Sequence, residues 1–147
     1  MIPDVHLKPW MFEQAARLMR DGLADRAVCL MDIADDFGQQ HNLSLYEKTY
    51  DAAIAFAKEF SETLWSWGNH DICYVWDMRE SGYSPLAADL VCRKLYQLEM
   101  ALPDRSQLAF IHRIDNLLFM HGGLTKYFVD KHCADSFPSG LVYHISK

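Results

Sequence analysis

The stretch AVCLMDIADD at residues 27–36 governs how the rest of the sequence is interpreted. Ala27 to Met31 is a short apolar run of the kind that forms a buried strand. Three aspartates follow it closely, namely Asp32, Asp35 and Asp36. In open α/β sheets, ligands gather at the carboxyl ends of the strands. The stretch therefore predicts an α/β domain with a polar site beyond the end of this strand.

Helical and strand-like segments alternate around this stretch. Three segments have apolar residues at helical spacing, and the second carries an S-x-x-E capping box at Ser44 and Glu47. The last two apolar runs flank Asp115-Asn116, which predicts a hairpin. Strands that alternate with helices indicate a layered α/β domain. The first helix is predicted from Pro9 to Asp21, with Gly22 as its stop, the second begins after Ser44, and the third runs from Ser84-Pro85 to Pro103. Further strand-like runs lie at 64–67, 108–112 and 117–120.

The size and charge of the chain indicate a single domain and disfavour nucleic-acid binding. Its 147 residues, half of them apolar, are enough for one domain with its own core. The net charge of −6 disfavours a nucleic-acid binder, which needs a basic face to neutralise phosphates. It does not exclude an enzyme that acts on phosphates, because bound cations supply positive charge locally.

Three features that the sequence lacks predict the cellular location of the protein and the redox state of its cysteines. The longest apolar runs have about five residues, whereas a membrane-spanning helix needs roughly 20. Asp4, His6 and Lys8 interrupt the amino terminus, so it has no signal-peptide core. The four cysteines never form a C-x-x-C pair and are read as reduced buried thiols. We therefore expect a cytoplasmic protein with no membrane partner.

Polar residues suited to metal binding end the apolar runs at four places. Carboxylate, imidazole and amide oxygen or nitrogen atoms, without a thiolate, suit Mn, Fe, Zn or Co rather than a structural zinc. A single carboxylate such as Asp32 can bridge two ions set roughly 3.5–4 Å apart. Taken singly, each group has an ordinary explanation as a turn or a packed histidine. The four places are Asp4 with His6, Asp32 with Asp35, Asn69 with His70 and Asp71, and His121.

In this order the four motifs resemble those of the calcineurin-like metallophosphoesterase superfamily. The family pattern reads D-x-H, G-D-x-x-D, G-N-H-D/E, H, and finally G-H-x-H. The string FMHGGL at 119–124 is most similar to the branch of the phosphoprotein phosphatases and bis(5′-nucleosyl)-tetraphosphatases. The resemblance covers about residues 4 to 124 and implies a layered α/β/β/α sandwich. The matching strings are DVH at 4–6, MDIAD at 31–35, GNHD at 68–71 and HGGL at 121–124.

The resemblance implies a centre of two divalent ions, with Mn, Fe or Zn as the metal. Asp4 and His6 would hold the first ion, and Asp32 would bridge the two. Asn69 and His121 would hold the second ion.

Catalytic and substrate-binding roles are implied in the same way. His70, oriented by Asp35, would contact a substrate oxygen or protonate the leaving group, and Asp71 would be a supporting residue. Asn69 and His70 would also contact the substrate. The stretch 73–83 has no regular period and is predicted to be a loop near the site, where Arg79 would meet an anionic substrate; Arg113 is a second candidate.

Three departures from the family pattern bear on these expectations. Met31 replaces the usual glycine before the bridging aspartate, so the backbone there is less free to turn. Asp36 stands where phosphoprotein phosphatases carry a phosphate-gripping arginine, and a carboxylate cannot grip phosphate. No G-H-x-H follows His121, since only His132 and His144 remain.

These departures lead us to expect an incomplete domain. The strand expected before Asp4 is reduced to residues 1–3, and the C-terminal strands of the sandwich are expected to be missing. Residues 1–147 are therefore interpreted as a partial metallophosphoesterase domain, truncated at both ends. An exposed sheet edge around 108–120 predicts self-association, because unpaired edges are templates for another chain.

The function expected from the sequence is metal-dependent hydrolysis of a phosphate ester. The substrate would be a phosphorylated protein, nucleotide or small molecule. The alternative is a catalytically incomplete remnant that acts as a binding or interaction module. A reading frame that continued past Lys147 into a G-H-x-H motif would favour the enzyme.

Overall fold

A three-stranded parallel sheet lies at the centre of the fold. Its strands are β1 (Val28–Cys29), β2 (Leu64–Ser66) and β3 (Leu108–Ala109), in the order β1-β2-β3. Because both neighbouring pairs are parallel, all three carboxyl ends meet at the same edge of the sheet. The computed structural model describes residues 1–125 together with Tyr127 and Lys131.

The amino-terminal segment extends this sheet beside β1. Residues 2–7 run alongside residues 28–33, and their backbone amides donate to carbonyl oxygens of that segment, as Val5 does to Met31 at 3.0 Å. The D-x-H motif therefore lies next to the carboxyl end of β1, where the first acidic motif begins.

In the described part of the chain, four helices cover the sheet and enclose one apolar core. The indole of Trp65 on β2 is fully buried, and its ring lies 5.9 Å from that of Phe12 and 6.5 Å from that of Phe56. Those two phenylalanines belong to the first and second helices, so the central strand holds both helices in place. The helices are α1 (Trp10–Arg20), α2 (Leu43–Glu59), α3 (Asn69–Val75) and α4 (Ala88–Ala101), with a short 3₁₀ helix at Arg105–Gln107.

The predicted helix α1 is confirmed, whereas the starts of the next two long helices are corrected. Helix α2 begins after Asn42, whose side-chain oxygen accepts a hydrogen bond from Leu45 N at 3.3 Å, so the capping box at Ser44 and Glu47 is wrong. The cap is Asn42, two positions before the predicted Ser44, and it accepts a hydrogen bond from a free amide of the first turn. Ser44 therefore lies inside the helix. Helix α4 starts at Ala88 because the residues after Ser84 form a separate turn.

The apolar run 108–112 divides between two sheets. Its first two residues form β3, whereas β4 (Ile111–Ile114) pairs antiparallel with β5 (Leu117–Met120). The two-residue turn joins Ile114 to Leu117, so the predicted hairpin is confirmed. Phe110 lies at the break between the sheets, where its carbonyl oxygen accepts a hydrogen bond from the Ser66 hydroxyl at 2.9 Å.

The stretch 73–83 was expected to be a loop throughout, and its first part is not. Residues 73–75 form the end of α3, and the side chains of Cys73 and Tyr74 are buried. Helix α3 has only seven residues, which is too short to give a clear periodic pattern in the sequence.

The chain is therefore a mixed α/β domain, as predicted. Within the described residues, no helix is long and apolar enough to cross a membrane. The β4–β5 hairpin exposes Ile111 and Leu117, which are 41% and 63% accessible to solvent, and the preceding Phe110 is 51% accessible. Self-association through this hairpin stays a prediction.

Candidate metal centre

The carboxylate of Asp32 lies at the centre of the site. It is almost fully buried, at the carboxyl end of β1. Its Oδ1 accepts a hydrogen bond from the backbone amide of His70 at 2.9 Å. Its Oδ2 lies 3.1 Å from Nε2 of His121 and 3.8 Å from Nε2 of His6. One carboxylate oxygen therefore faces two imidazoles that come from distant parts of the chain.

Both imidazoles are held in the same manner by the backbone. Nδ1 of His6 lies 2.8 Å from the carbonyl oxygen of Asp35, and Nδ1 of His121 lies 2.9 Å from that of Leu30. A carbonyl oxygen only accepts, so Nδ1 is the donor in each ring. When the ring is neutral, the lone pair is then on Nε2, which faces Asp32. This orientation by an outer hydrogen bond is typical of metal-binding histidines.

Two further polar side chains complete the group. The Oδ1 atom of Asn69 lies 3.1 Å from Nε2 of His121, and Oδ1 of Asp4 lies 3.4 Å from Nδ1 of the same ring. Asp4, His6 and Asp32 each offer one ligand atom within 4.8 Å of the others. The structure therefore brings together all five side chains that the sequence selected. We call them the Asp32 cluster: Asp4, His6, Asp32, Asn69 and His121.

The atoms of the Asp32 cluster fit a divalent ion of the Mn, Fe, Co or Zn type. They are carboxylate oxygens, an amide oxygen and imidazole nitrogens, and no cysteine belongs to the cluster.

Gly68 allows the third motif to approach Asp32. A Cβ atom at this position would overlap Oδ1 of Asp32 and would lie 2.5 Å from the backbone nitrogen of the same residue. Such a contact forces the backbone apart. The glycine before Asn69 is therefore required by the close approach of α3 to the end of β1.

The backbone around the Asp32 cluster is strained. Non-glycine residues with positive φ cost about 1–3 kcal/mol each and are enriched at functional sites. Met31, where the family pattern has glycine, adopts φ 56° with its side chain fully buried in the core. The backbone was expected to be less free to turn at Met31, yet it adopts this conformation, and burial of the methionine offsets part of its cost. The positive-φ residues at the site are His6, Leu7, Met31, Asp32 and Asp35.

His70 lies beside the cluster and is oriented by Asp35. Its Nδ1 is 3.2 Å from Oδ2 of Asp35, whose side chain is buried. The other oxygen of Asp35 accepts hydrogen bonds from the hydroxyls of Tyr46 at 2.7 Å and Tyr74 at 2.5 Å. Burial raises the pKa of both phenols well above 10, so they remain donors. The carboxylate that faces His70 is thus fixed by two tyrosines.

Asp71 is a supporting residue in the structure. It is buried, and its carboxylate accepts hydrogen bonds from the amides of Ile33 at 3.1 Å and Ala34 at 3.3 Å and from the hydroxyl of Tyr50 at 2.8 Å. Burial, and then the charge of Asp32, raise the pKa of Asp71 to about 7. Asp71 therefore ties the segment after Asp32 to α3 without facing the cluster's imidazoles.

An open cavity of about 160 Å³ lies beside the cluster, and among the described residues no arginine lines it. Arg79 is exposed outside its lining, and Arg113 lies at the opposite end of the sheet beside Asp25. The cation that does line the cavity is Lys8, two residues after His6 in the sequence. The lining consists of His6, Lys8, Asp35, Asp36, Phe37, His70, Ser81 and Gly82.

Sequence reasoning missed Lys8 and the three tyrosines Tyr46, Tyr50 and Tyr74. Tyr46 and Tyr50 lie at helical spacing in the sequence, but this spacing gives no signal for the partners of their hydroxyls. For Lys8, the only available signal was its position directly after the D-x-H motif.

Comparisons of the chain with protein-family models, with curated proteins and with solved structures found no significant match.

Gly68→Ala should lower the free energy of unfolding by about 1–3 kcal/mol, because the added methyl group overlaps the Asp32 carboxylate. The matched control is Gly122→Ala, since a Cβ there meets no atom within 4 Å. Urea denaturation of the two variants and the wild type measures the difference. Equal midpoints for the two alanine variants would contradict the steric argument.

His121 predicts a pH dependence of stability in the metal-free chain. Its hydrogen bond to Asp32 raises the pKa of His121 from 6.5 to about 9, with burial opposing the effect. Because the pKa is higher in the folded state, the stabilisation is fully present below pH 6.5 and is lost as the pH rises through 9. Urea denaturation in buffer that contains a metal chelator should show the free energy of unfolding falling as the pH rises from 6.5 to about 9.

The variant His121→Asn should flatten this fall in stability, because it removes the titrating ring. The control His41→Asn changes an exposed histidine and should keep the fall. A fall of the same size in His121→Asn and in the wild type would show that other groups cause it.

Proposed function

We propose that the chain is a metal-dependent phosphoesterase of the calcineurin-like metallophosphoesterase superfamily. The observation that carries this proposal is the position of Asp32 Oδ2 between Nε2 of His6 and Nε2 of His121. A carboxylate that faces two separately anchored imidazoles has the arrangement needed for two ions that share one ligand. The order of the four sequence motifs supports the same assignment.

Each member of the Asp32 cluster has a role in this proposal. Asp4 and His6 would hold one ion, Asn69 and His121 would hold the other, and Asp32 would be shared. When bound, Mn, Fe or Zn ions supply a hydroxide near neutral pH and polarise the phosphoryl group. The protein contributes the fixed positions of the ligands, since the two imidazoles are anchored through Nδ1.

His70 is the proposed proton donor to the leaving group. Its ring lines the cavity next to that of His6, with 5.1 Å between the ring centroids. Asp35 fixes the plane of the ring through Nδ1, so Nε2 is the atom that exchanges a proton or hydrogen bond with substrate. The backbone amide of His70 also binds Asp32, which couples the position of this residue to the metal ligands.

The finer fold belongs to the same proposal. We assign the β1–β3 sheet and the β4–β5 hairpin to the two sheets of an α/β/β/α sandwich. Two distinct sheets and the covering helices support the assignment. The substrate at this level is a phosphorylated protein, nucleotide or small molecule.

Hydrolysis of 4-nitrophenyl phosphate with added Mn²⁺ tests the proposed activity. Asp32→Asn should abolish it, because the amide cannot serve two ions as a charged ligand. His70→Asn should lower kcat by about 10²-fold to 10⁴-fold, the usual contribution of acid–base catalysis, while the Mn²⁺ affinity stays close to that of the wild type. Asp25→Asn is the matched control, since Asp25 is exposed at the opposite end of the sheet.

Two outcomes would overturn the proposal. One is a wild-type chain that binds Mn²⁺ but hydrolyses no phosphoprotein, nucleotide or small phosphomonoester, a result that would favour the binding module. The other is an Asp32→Asn variant with activity equal to that of Asp25→Asn. Equal loss of metal from the Asp32 and His70 variants would refute the separate role of His70.

A further inference from the structure

The cavity beside the Asp32 cluster has a wall that the proposed reaction does not use. This wall contains Lys8, Asp36 and Phe37. The two oxygens of Asp36 have separate partners, because Oδ2 accepts from Lys8 Nζ at 3.1 Å and Oδ1 accepts from the backbone amide of Phe37 at 2.9 Å. Asp36 therefore connects the first sequence motif to the segment that carries Phe37.

The ammonium of Lys8 is already engaged. It donates to the carbonyl oxygen of His6 at 2.9 Å as well as to Asp36. The lining of this cavity contains this one ammonium and two carboxylates, those of Asp35 and Asp36. Like charges repel, so the wall disfavours a leaving group that carries additional phosphates.

Phe37 presents an aromatic ring to the same space. Its side chain is 79% exposed at the cavity, the highest exposure of any large apolar side chain in the described residues. Gly82 also lines the cavity, and because glycine has no side chain, nothing projects into the cavity from that position. The cavity therefore combines an uncovered aromatic ring with a lining that holds more carboxylates than ammonium groups, which suits a flat leaving group without further negative charge.

Resting on the proposed function, we propose that this cavity is the leaving-group subsite and that it takes an aryl phosphate monoester, with the aryl ring against Phe37. The phosphate lies toward the Asp32 cluster, and the ring lies toward the wall of Lys8, Asp36 and Phe37. Contact between aromatic rings contributes roughly a tenfold gain in affinity. Esters with a polyphosphate leaving group are selected against by Asp36.

Binding of two phosphonates tests this subsite without any turnover. Phenylphosphonate and methylphosphonate share the same head group and differ in the aryl ring. Calorimetric titration in the presence of Mn²⁺ should show that the wild type binds phenylphosphonate about tenfold more tightly. Phe37→Ala should remove this preference while the affinity for methylphosphonate stays unchanged. Leu23→Ala is the matched control, because Leu23 is similarly exposed, at 74%, but lies outside the cavity.

Asp36→Asn tests the charge component separately. It removes one of the two carboxylates and should increase the affinity for methylenediphosphonate severalfold. The gain is measured relative to the affinity of the same variant for phenylphosphonate, which carries a single phosphonate group. An Asp36→Asn variant that binds the diphosphonate as weakly as the wild type would overturn the proposed selection against polyphosphates.

The binding and hydrolysis results separate this inference from the proposed function. If the wild type hydrolyses no ester yet prefers phenylphosphonate through Phe37, the subsite stands and the proposed function fails. If the wild type hydrolyses 4-nitrophenyl phosphate but Phe37→Ala keeps the full phenyl preference, the subsite is wrong. The subsite is also wrong if the wild type binds neither phosphonate or binds both equally.

Discussion

The contact between the buried carboxylate of Asp32 and two imidazoles is the constraint on which the rest of the site depends. A buried carboxylate is costly unless its oxygens are paired. Oδ1 is satisfied by the backbone of His70, and Oδ2 faces His6 and His121. The close approach of α3 requires Gly68 to lack a side chain. The side chain of Asp32 thus contacts the start of α3, the amino-terminal segment and the residue that follows β5.

A second level of structure holds the groups around Asp32. Tyr46 and Tyr50 lie one turn apart on α2, and their hydroxyls bind Asp35 and Asp71, respectively. One face of a helix therefore fixes both the carboxylate that orients His70 and the carboxylate that anchors the segment after Asp32. Residues one turn apart on a helix share a face, which is why a single helix reaches both aspartates. The precision of the site comes from this helix rather than from the strands alone.

The sequence predicted most of the helices and strands and the members of the Asp32 cluster, but not the short helix α3 or the contacts that position the cluster. Apolar runs and helical spacing are local properties, so they predicted the strands, the hairpin and α1. The hydroxyl partners of Tyr46 and Tyr74 depend on long-range packing, which periodicity does not encode. The same limit applies to Lys8, whose partner Asp36 lies 28 residues away. Asn42 was missed as the cap of α2 because Ser44 offered a competing local signal.

Electron paramagnetic resonance of bound Mn²⁺ tests most directly whether two ions share Asp32. At saturating Mn²⁺, the wild type should give the spectrum of a spin-coupled pair, because a shared carboxylate places the two ions close together. Asp32→Asn should lose the coupled signal, whereas Asp25→Asn should keep it. A wild-type spectrum of isolated Mn²⁺ alone, or a coupled signal that persists in Asp32→Asn, would contradict the account.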